Sequence, residues 1–218
     1  MADAPTHKQG NNSKRLPWNF RNRKKAPVVP KKPNNYAFID SQNLNLGVQK
    51  MGWKMDWHKF REWLATEHGV TKAYMFIGYM QVNESLYEQM YDHGFLVVLK
   101  PTTEIKSTVS ENVKGKGMQD VEKTTVKGNI DADLVLYAMK ELPNYDKAVI
   151  VSGDGDFFAL AEYLVEQNKL HKILTPNQRF SMLLQAFQKY IVDLSDHKKE
   201  LAYAQFRRPN HRKSTKQS

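Results

Sequence analysis

The sequence predicts an α/β fold with a mainly parallel central sheet and helices on both faces. Short apolar segments alternate along the chain with longer segments of helical periodicity. Parallel strands need crossover connections, and helices supply them, so helices are expected to cover both faces of the sheet. The 218 residues suffice for one domain with extensions and a buried core.

Five strands are expected. In chain order they are YAFID (36–40), KAYMFIGYM (72–80), FLVVLKP (95–101), KAVIVS (147–152) and HKILT (171–175). Each is a short segment dominated by apolar residues, which is typical of a strand buried in a parallel sheet.

Helices are expected between and after these strands. They are DWHKFREWLATEHG (56–69), NESLYEQMYDHG (83–94), IDADLVLYAMKEL (130–142), FFALAEYLVEQN (157–168) and a final stretch over roughly 181–204. The first two end at a glycine, which is a common helix stop. The third has an apolar stripe formed by Ile130, Leu134, Tyr137 and Ala138.

The positive charge of the chain lies at its ends. Residues 1–33 carry nine Lys or Arg and one acidic residue, and residues 197–218 carry seven and one. The segment between them has 17 basic and 21 acidic residues. We therefore predict a basic disordered arm (1–34), one domain (35–196) and a basic tail (197–218). Basic extensions on an acidic body are typical of nucleic-acid binding, because neutralising phosphates releases counterions.

The composition also excludes several classes of protein. The chain has no cysteine, so it can form neither a disulfide framework nor a thiolate metal site. It has no apolar stretch after the first basic residues, as a signal peptide would, and no run of about 18 apolar residues that could span a bilayer. We expect a soluble cytoplasmic protein.

Acidic residues follow the ends of predicted strands. Asp40 ends the first strand, and Asp154 and Asp156 lie just beyond the fourth, in VSGDGDFFAL. Asp131 begins the helix that follows a long polar stretch. Ligands bind outside the carboxyl ends of parallel strands, so three separate segments could deliver acids to one edge of the sheet.

A cluster of these carboxylates would be unfavourable by itself. Two unit charges about 4 Å apart repel by roughly 1 kcal/mol in water and by about 4 kcal/mol at an effective dielectric near 20. Protons or a cation would relieve this repulsion. Oxygen ligands favour hard cations, and both Mg²⁺ and Mn²⁺ fit this ligand set.

Each acid also has an ordinary structural explanation. Any of them could be the N-cap of a helix, and Asp40 could belong to a simple turn. An EF-hand is excluded, because position 12 counted from Asp154 is Val165. A phosphatase with a DxD nucleophile would need its pair after the first strand, where only Asp40 stands. The combination of segments, more than any single motif, therefore indicates a site.

Three segments resemble the NYN domain, LabA-like branch, of the PIN-like nuclease superfamily. They are FIDSQNLN (38–45), KGNIDADLVLYAM (127–139) and VSGDGDFFAL (151–160), in the family's order and spacing. The resemblance covers roughly residues 35–195. It implies a PIN-like three-layer fold and a metal-dependent endoribonuclease that uses Mg²⁺ or Mn²⁺.

The resemblance also assigns residues by position. The catalytic and metal-binding residues it implies are Asp40, Asp131, Asp154 and Asp156. The expected reaction is hydrolysis of RNA by a water molecule that one or two metal ions activate for in-line attack on phosphorus.

Several neighbours of these acids are assigned supporting roles. The resemblance makes Asn43 a polar contact beside Asp40 and places Ser152 at the entrance to the acidic pair. Asp133 should face away from Asp131, because the two are only two residues apart on a helix. We expect Asp133 to support the site or to form a salt bridge. Ser41 stands where the family often has glycine, and this change should remove no ligand.

The basic arm could bind the substrate, which we expect to be single-stranded RNA. The segment PWNFRNRKK (17–25) places Trp18 and Phe20 among cations that include Arg21 and Arg23. Aromatic rings can stack on unpaired bases while cations follow the backbone. The segment QFRRPNHRK (205–213) repeats this mixture. Either end could instead be a solubilising extension or a segment that docks a protein.

Residues 102–127 are polar, have few large apolar side chains, and are predicted to form a long loop. Loops of this length in compact domains are usually functional or mobile. Four lysines on it could contact phosphates or remain solvated, namely Lys114, Lys116, Lys123 and Lys127.

Two other functional classes stay open. The chain could be a non-catalytic RNA-binding or regulatory module in which the acids retain a metal for structure only. A phosphatase or nucleotide hydrolase is the weaker alternative, because the chain has no GxxxxGK[ST] motif. The presence of all four acids favours the nuclease.

Overall fold

The structure, a computed structural model, confirms the predicted α/β class. It describes residues 32–79, 83–101, 103–113, 117–127 and 130–204, without the side chains of the segments between 103 and 127. No helix within these ranges is long and apolar enough to cross a membrane.

Six strands of the described chain form a fully parallel sheet, and two more form a separate antiparallel pair. In chain order the strands are β1 (Asn35–Asp40), β2 (Val70–Gly78), β3 (Leu96–Lys100), β4 (Thr103–Val113), β5 (Gly117–Lys127), β6 (Ala148–Val151), β7 (Leu170–Thr175) and β8 (Ile191–Asp193). The parallel sheet has the order β3-β2-β1-β6-β7-β8. Strands β2 and β3 thus follow β1 toward one edge of the sheet, and β7 and β8 follow β6 toward the other.

Helices connect these strands. In chain order they are α1 (Ser41–Lys50), α2 (Trp57–His68), α3 (Glu84–Asp92), α4 (Asp131–Lys140), α5 (Phe158–Glu166) and α6 (Lys198–Leu201), with 3-10 segments at Gly155–Phe157 and Met182–Tyr190. The glycine stop predicted for α2 is confirmed, because Gly69 has a left-handed φ of 61°. Glycine carries no Cβ to oppose that conformation.

Both faces of the sheet are covered by helices. Along β1, Ala37 and Ile39 point to one core, and Tyr36 and Phe38 point to the other. The first core also contains side chains of α1, α2, α3 and α6. The second contains side chains of α4 and α5 and of the 3-10 segment Met182–Tyr190. This double coverage explains why the strands are apolar at successive positions and not only at alternate ones.

The predicted loop over residues 102–127 is wrong. The backbone forms a long antiparallel hairpin, in which β4 and β5 pair from Thr103 with Lys127 through to Val113 with Gly117. The two strands are rich in Thr and Val, whose branched side chains favour extended backbone. The prediction relied on large apolar residues, which a hairpin outside the main sheet does not require.

The predicted final helix over 181–204 is also wrong. This segment contains the 3-10 segment Met182–Tyr190, the strand β8 and the short helix α6. Strand β8 has only three residues and exists by pairing with β7, where Ile173 is aligned with Ile191. So short a strand depends on its partner and leaves almost no periodic pattern in the sequence.

Candidate active site

The first two acids meet where the order of the sheet reverses. Asp40 is the last residue of β1, and Asp154 lies three residues beyond the end of β6. These strands are adjacent and parallel, with Ile39 aligned with Val151. Successive crossovers leave β1 and β6 in opposite directions along the sheet. Such a switch point opens a crevice at the carboxyl edge, which is the usual ligand position in open α/β sheets.

Asp40 is buried and accepts hydrogen bonds from α1 and from the segment after β6. Only 5% of its surface is exposed. One carboxylate oxygen accepts a hydrogen bond from the Asn43 backbone N–H at 3.0 Å, so Asp40 is the N-cap of α1. The other oxygen accepts a hydrogen bond from the Ser152 hydroxyl at 3.1 Å. Burial raises the pKa of Asp40, and the charges of Asp131 and Asp154 raise it further against the two hydrogen bonds.

Hydrogen bonds link the loop after β6 to the start of α1. The Ser152 hydroxyl accepts from the Asp154 backbone N–H at 3.1 Å, and an Asp154 carboxylate oxygen accepts from the Asp156 backbone N–H at 3.1 Å. The Gly153 backbone N–H donates to the Asn43 side-chain oxygen at 2.9 Å. Ser152 and Asn43 therefore fix the loop after β6 relative to Asp40 and the first turn of α1. The capping explanation considered for these acids is correct for Asp40 and Asp154.

Asp131 is the third contributor to this edge, and it is half-buried. It is the first residue of α4, and Ile130 occupies the N-cap position, so the capping explanation fails for Asp131. Burial raises its pKa, followed by the charges of Asp154 and Asp156, while Lys100 lowers it. Asp156 is exposed in the 3-10 segment after β6. The four predicted acids thus interact electrostatically although they come from three segments.

Asp133 forms the salt bridge that was one of its two predicted roles. Its carboxylate lies 2.9 Å from the Lys100 ammonium, and both side chains are about one-third exposed. Lys100 was not identified from the sequence. The signal was its position as the last residue of β3, which places it at the same edge as the acids.

A divalent ion would find oxygen donors at this edge. Asp40 and Asp154 offer carboxylates, and the side chains around them, Asn43 and Ser152, also present oxygen. Among the described residues, however, no group of three or more His, Asp or Glu side chains is arranged to hold a metal ion. Mg²⁺ needs fewer, because it commonly uses one or two carboxylates and completes its shell with water and substrate phosphate. The kinds of donor at this edge are therefore those that a Mg²⁺-type ion accepts.

Ser41 helps to position the start of α1. Its hydroxyl donates a hydrogen bond to the Phe76 carbonyl oxygen at 2.7 Å, which connects the start of α1 to β2. A glycine at this position could not make that bond. Serine at this position therefore adds a contact that involves none of the four acids.

A loop that sequence reasoning missed closes one side of the site. After β7 the chain turns back, and the Ser181 backbone N–H donates to the Gly153 carbonyl oxygen at 2.9 Å. A Cβ on Gly155 would collide with the Ser181 side chain, so glycine is required for this approach. The second glycine of SGDGD therefore permits packing and need not contact a ligand.

The remaining predicted substrate-binding residues cannot be placed around the site. Lys123 and Lys127 belong to β5, whose backbone alone is described. The others lie outside the described residues, namely Trp18, Phe20, Arg21, Arg23, Lys114 and Lys116. Their proposed contacts with RNA stay predictions.

Comparison with known proteins agrees with the fold and the arrangement of motifs. The family model of the NYN domain matches residues 36–196. The chain is 28% identical to the low amplitude and bright protein LabA of Synechococcus elongatus over 172 residues, which is 76% of this chain and 86% of LabA.

A solved structure has the same fold. It is a crystal structure of a protein of unknown function from Vibrio parahaemolyticus, with a TM-score of 0.57 and 21% identity over 79% of this chain and 98% of that one. Because the family model spans most of the chain, including all three acidic segments, the chain belongs to the NYN domain family of the PIN-like nuclease superfamily.

Proposed function

We propose that this protein is a Mg²⁺- or Mn²⁺-dependent ribonuclease that cleaves single-stranded RNA at the carboxyl edge of the sheet. The observation that carries the proposal is the buried Asp40, whose pKa is raised by burial and then by the charges of Asp131 and Asp154. Like charges held together around a buried carboxylate are costly unless a cation joins them. Lys100, whose charge lowers the pKa of Asp131, forms its salt bridge with Asp133.

The residues divide into ligands and positioning groups. Asp40 and Asp154 would hold the ion. Ser152 and Asn43 orient them, because their hydrogen bonds connect the Asp40 carboxylate, the Gly153 N–H and the Asp154 N–H. When bound, the ion would lower the pKa of water and neutralise the charge that develops on the phosphate oxygens.

The other two acids would orient the attacking water and take its proton. Asp131 and Asp156 accept its hydrogen bonds and direct its oxygen at phosphorus. Asp131 is suited to take the proton, because burial and the neighbouring carboxylates raise its pKa above the ordinary value of an aspartate. The leaving 3′ or 5′ oxygen takes a proton from solvent.

A non-catalytic RNA-binding module is the second candidate function. It is favoured by the lack, among the described residues, of three side chains arranged as metal ligands. In that case the acids would bind an ion weakly or only for stability. RNA would then be bound through basic residues and released intact.

Cleavage of an end-labelled single-stranded RNA separates the two candidates. The assay compares Mg²⁺, Mn²⁺ and EDTA for the unmodified chain and for Asp40→Asn, Asp154→Asn and Asp92→Asn. Asp92 is an exposed residue at the end of α3 and serves as the matched control. We expect metal-dependent cleavage that disappears in the first two variants and persists in the control.

The opposite result would favour the binding module. RNA that is bound but uncut with either metal, and that binds equally well or better to the two site variants, contradicts the nuclease proposal. Cleavage that survives both Asp40→Asn and Asp154→Asn would place any activity elsewhere in the preparation.

A further inference from the structure

A groove of about 460 Å³ lies directly beside the acids. One wall is α1, which contributes Asn43, Leu46 and Lys50, and the opposite wall is the loop after β7, which contributes Asn177 and Arg179. Its volume is within the usual range for small-ligand sites, which is roughly 300–1,000 Å³. We call this cavity the α1 groove.

The walls of the α1 groove are held together by direct contacts. Asn177 is buried, and its side-chain amide donates to the Gly47 carbonyl oxygen at 2.9 Å. The same side chain accepts a hydrogen bond from the Arg179 backbone N–H at 2.8 Å. A Cβ on Gly47 would overlap Pro176, so glycine lets the helix and the loop touch. The groove is therefore formed before any ligand binds.

Two cations line this groove, and neither has an acidic partner within the part of the chain that the structure describes. Lys50 and Arg179 are both exposed, and no acidic side chain among the described residues forms a salt bridge with either. The same groove has apolar surface, because Leu46 is 46% exposed and Met51 is 44% exposed. Cations with nearby apolar surface suit a single nucleic-acid strand, which presents phosphates on one side and bases on the other.

The α1 groove borders the two segments that carry Asp40 and Asp154. Asn43 and Gly153 line it, and they are joined by the hydrogen bond between the Gly153 N–H and the Asn43 side chain. The backbone N–H of Asn43 also binds Asp40. A strand that occupies the groove would therefore lie next to the segments that carry Asp40 and Asp154.

We propose that the α1 groove binds the RNA strand next to the phosphate that is cleaved. Lys50 and Arg179 contact its backbone phosphates, and Leu46 and Met51 contact sugar and base. The proposal rests on the ribonuclease function and adds to it the residues that align the substrate.

The test compares two variants that remove the same charge. The groove variant is Lys50→Gln with Arg179→Gln. The matched control is Lys140→Gln with Lys172→Gln, because Lys140 ends α4 far from Asp131 and Lys172 lies in the amino-terminal half of β7. Binding of a ten-nucleotide RNA is measured by fluorescence anisotropy in EDTA at several salt concentrations, and a thermal melt checks that each variant folds.

We expect the groove variant to bind RNA about 10-fold more weakly at low salt, which corresponds to about 1.4 kcal/mol. The slope of log K against log salt should fall by about 1.4, since each lost phosphate contact on a single strand removes about 0.7. The control should keep the slope of the unmodified chain.

Two outcomes would overturn the proposal. One is an unchanged slope in the groove variant, and the other is an equal loss of slope in the control, which would reflect net charge alone. The result is independent of the cleavage assay. A groove variant with reduced slope in a protein that never cuts RNA would refute the nuclease and keep the groove, whereas metal-dependent cleavage with an unchanged slope would do the reverse.

Discussion

At the carboxyl edge of the sheet the buried ionisable group is Asp40, whereas at the amino edge it is His68. Both are less than one-tenth exposed, and burial is the main cause that shifts each pKa toward the neutral form. Their neighbours differ. Asp40 is surrounded by further acids, which raise its pKa again, while His68 lies 3.4 Å from the ring nitrogen of His171 and packs edge-on against Trp63.

This difference distinguishes Asp40, at a candidate binding site, from His68, which packs against other rings. At the amino edge a neutral imidazole is sufficient, because His68 packs against Trp63 and contacts His171 through Nδ1, although its Nε2 has no hydrogen-bond partner among the described residues. At the carboxyl edge, burial and then the neighbouring acids raise the pKa of Asp131, and the same acids add to the effect of burial on the pKa of Asp40. A cation is the partner that would relieve the repulsion between these carboxylates.

Acidification should give the largest effect that tests this comparison, because it should protonate His68 at the amino edge. Burial, then the positive charges of His171, Lys172 and His197, lowers the pKa of His68 from its usual 6.5 to about 4. The unfolded chain binds more protons than the folded chain between these values, so stability is full above pH 6.5 and falls as the pH drops toward 4.

We expect the unmodified chain to lose about 2–3 kcal/mol more than His68→Gln between pH 7 and pH 4.5. Urea denaturation at a series of pH values measures this. Equal pH dependence in the two proteins would mean that His68 is not held neutral by the fold.

Removal of the Ser152 hydroxyl should damage the carboxyl edge without unfolding it. Ser152→Ala deletes the hydrogen bonds to Asp40 and from the Asp154 N–H. Groups that orient metal ligands are typically worth about 10- to 100-fold in activity or metal affinity. We expect a loss of that size in Mg²⁺-dependent cleavage.

The control for this change is a hydroxyl at the amino edge. Thr71→Val removes hydrogen bonds to Asn34 and Asn35 and should leave cleavage unchanged. If both variants lose activity equally, general stability and not the Ser152 contacts would explain the loss.

The smallest expected effect is a gain of stability from Asp40→Asn. Because burial and the neighbouring acids raise the pKa of Asp40, its charge costs stability at pH 7, and the cost disappears as the pH falls below the ordinary value of 3.8. An asparagine can still accept the capping hydrogen bond from the Asn43 N–H. We expect a gain of about 0.5–2 kcal/mol at pH 7, the usual range for stabilising substitutions.

Asp56→Asn is the matched control. Asp56 caps α2 in the same way, but it also lies 3.7 Å from the Lys59 ammonium, so removal of its charge should give no gain. Thermal melts with and without Mg²⁺ extend the test, because the ion should stabilise the unmodified chain and not Asp40→Asn. A destabilised Asp40→Asn would mean that its charge is already compensated.

The sheet was predictable because burial on both faces leaves a simple pattern. Strands β1, β6 and β7 appear in the sequence as short apolar segments, and the acids at the ends of β1 and β6 could be assigned to one edge from topology alone. Helix α1 is not among the helices predicted from the sequence, because its first residues are interpreted only as part of the motif FIDSQNLN. The Asp40 that ends β1 also begins α1 as its N-cap.

The α1 groove could not be predicted in the same way. Lys50, Gly153 and Arg179 are far apart in sequence and carry no shared motif. They line one cavity because Gly47 allows the loop after β7 to pack against α1. Contacts of this kind are set by close packing in three dimensions, which single-sequence patterns do not encode.

The hairpin of β4 and β5 also makes the chain easy to re-engineer. Thr103 and Lys127 are paired directly, so the two ends of this insertion lie about 5 Å apart. A short turn can close that gap, and the parallel sheet keeps all of its neighbours when it does. A reporter or targeting module could therefore replace the hairpin between β3 and α4.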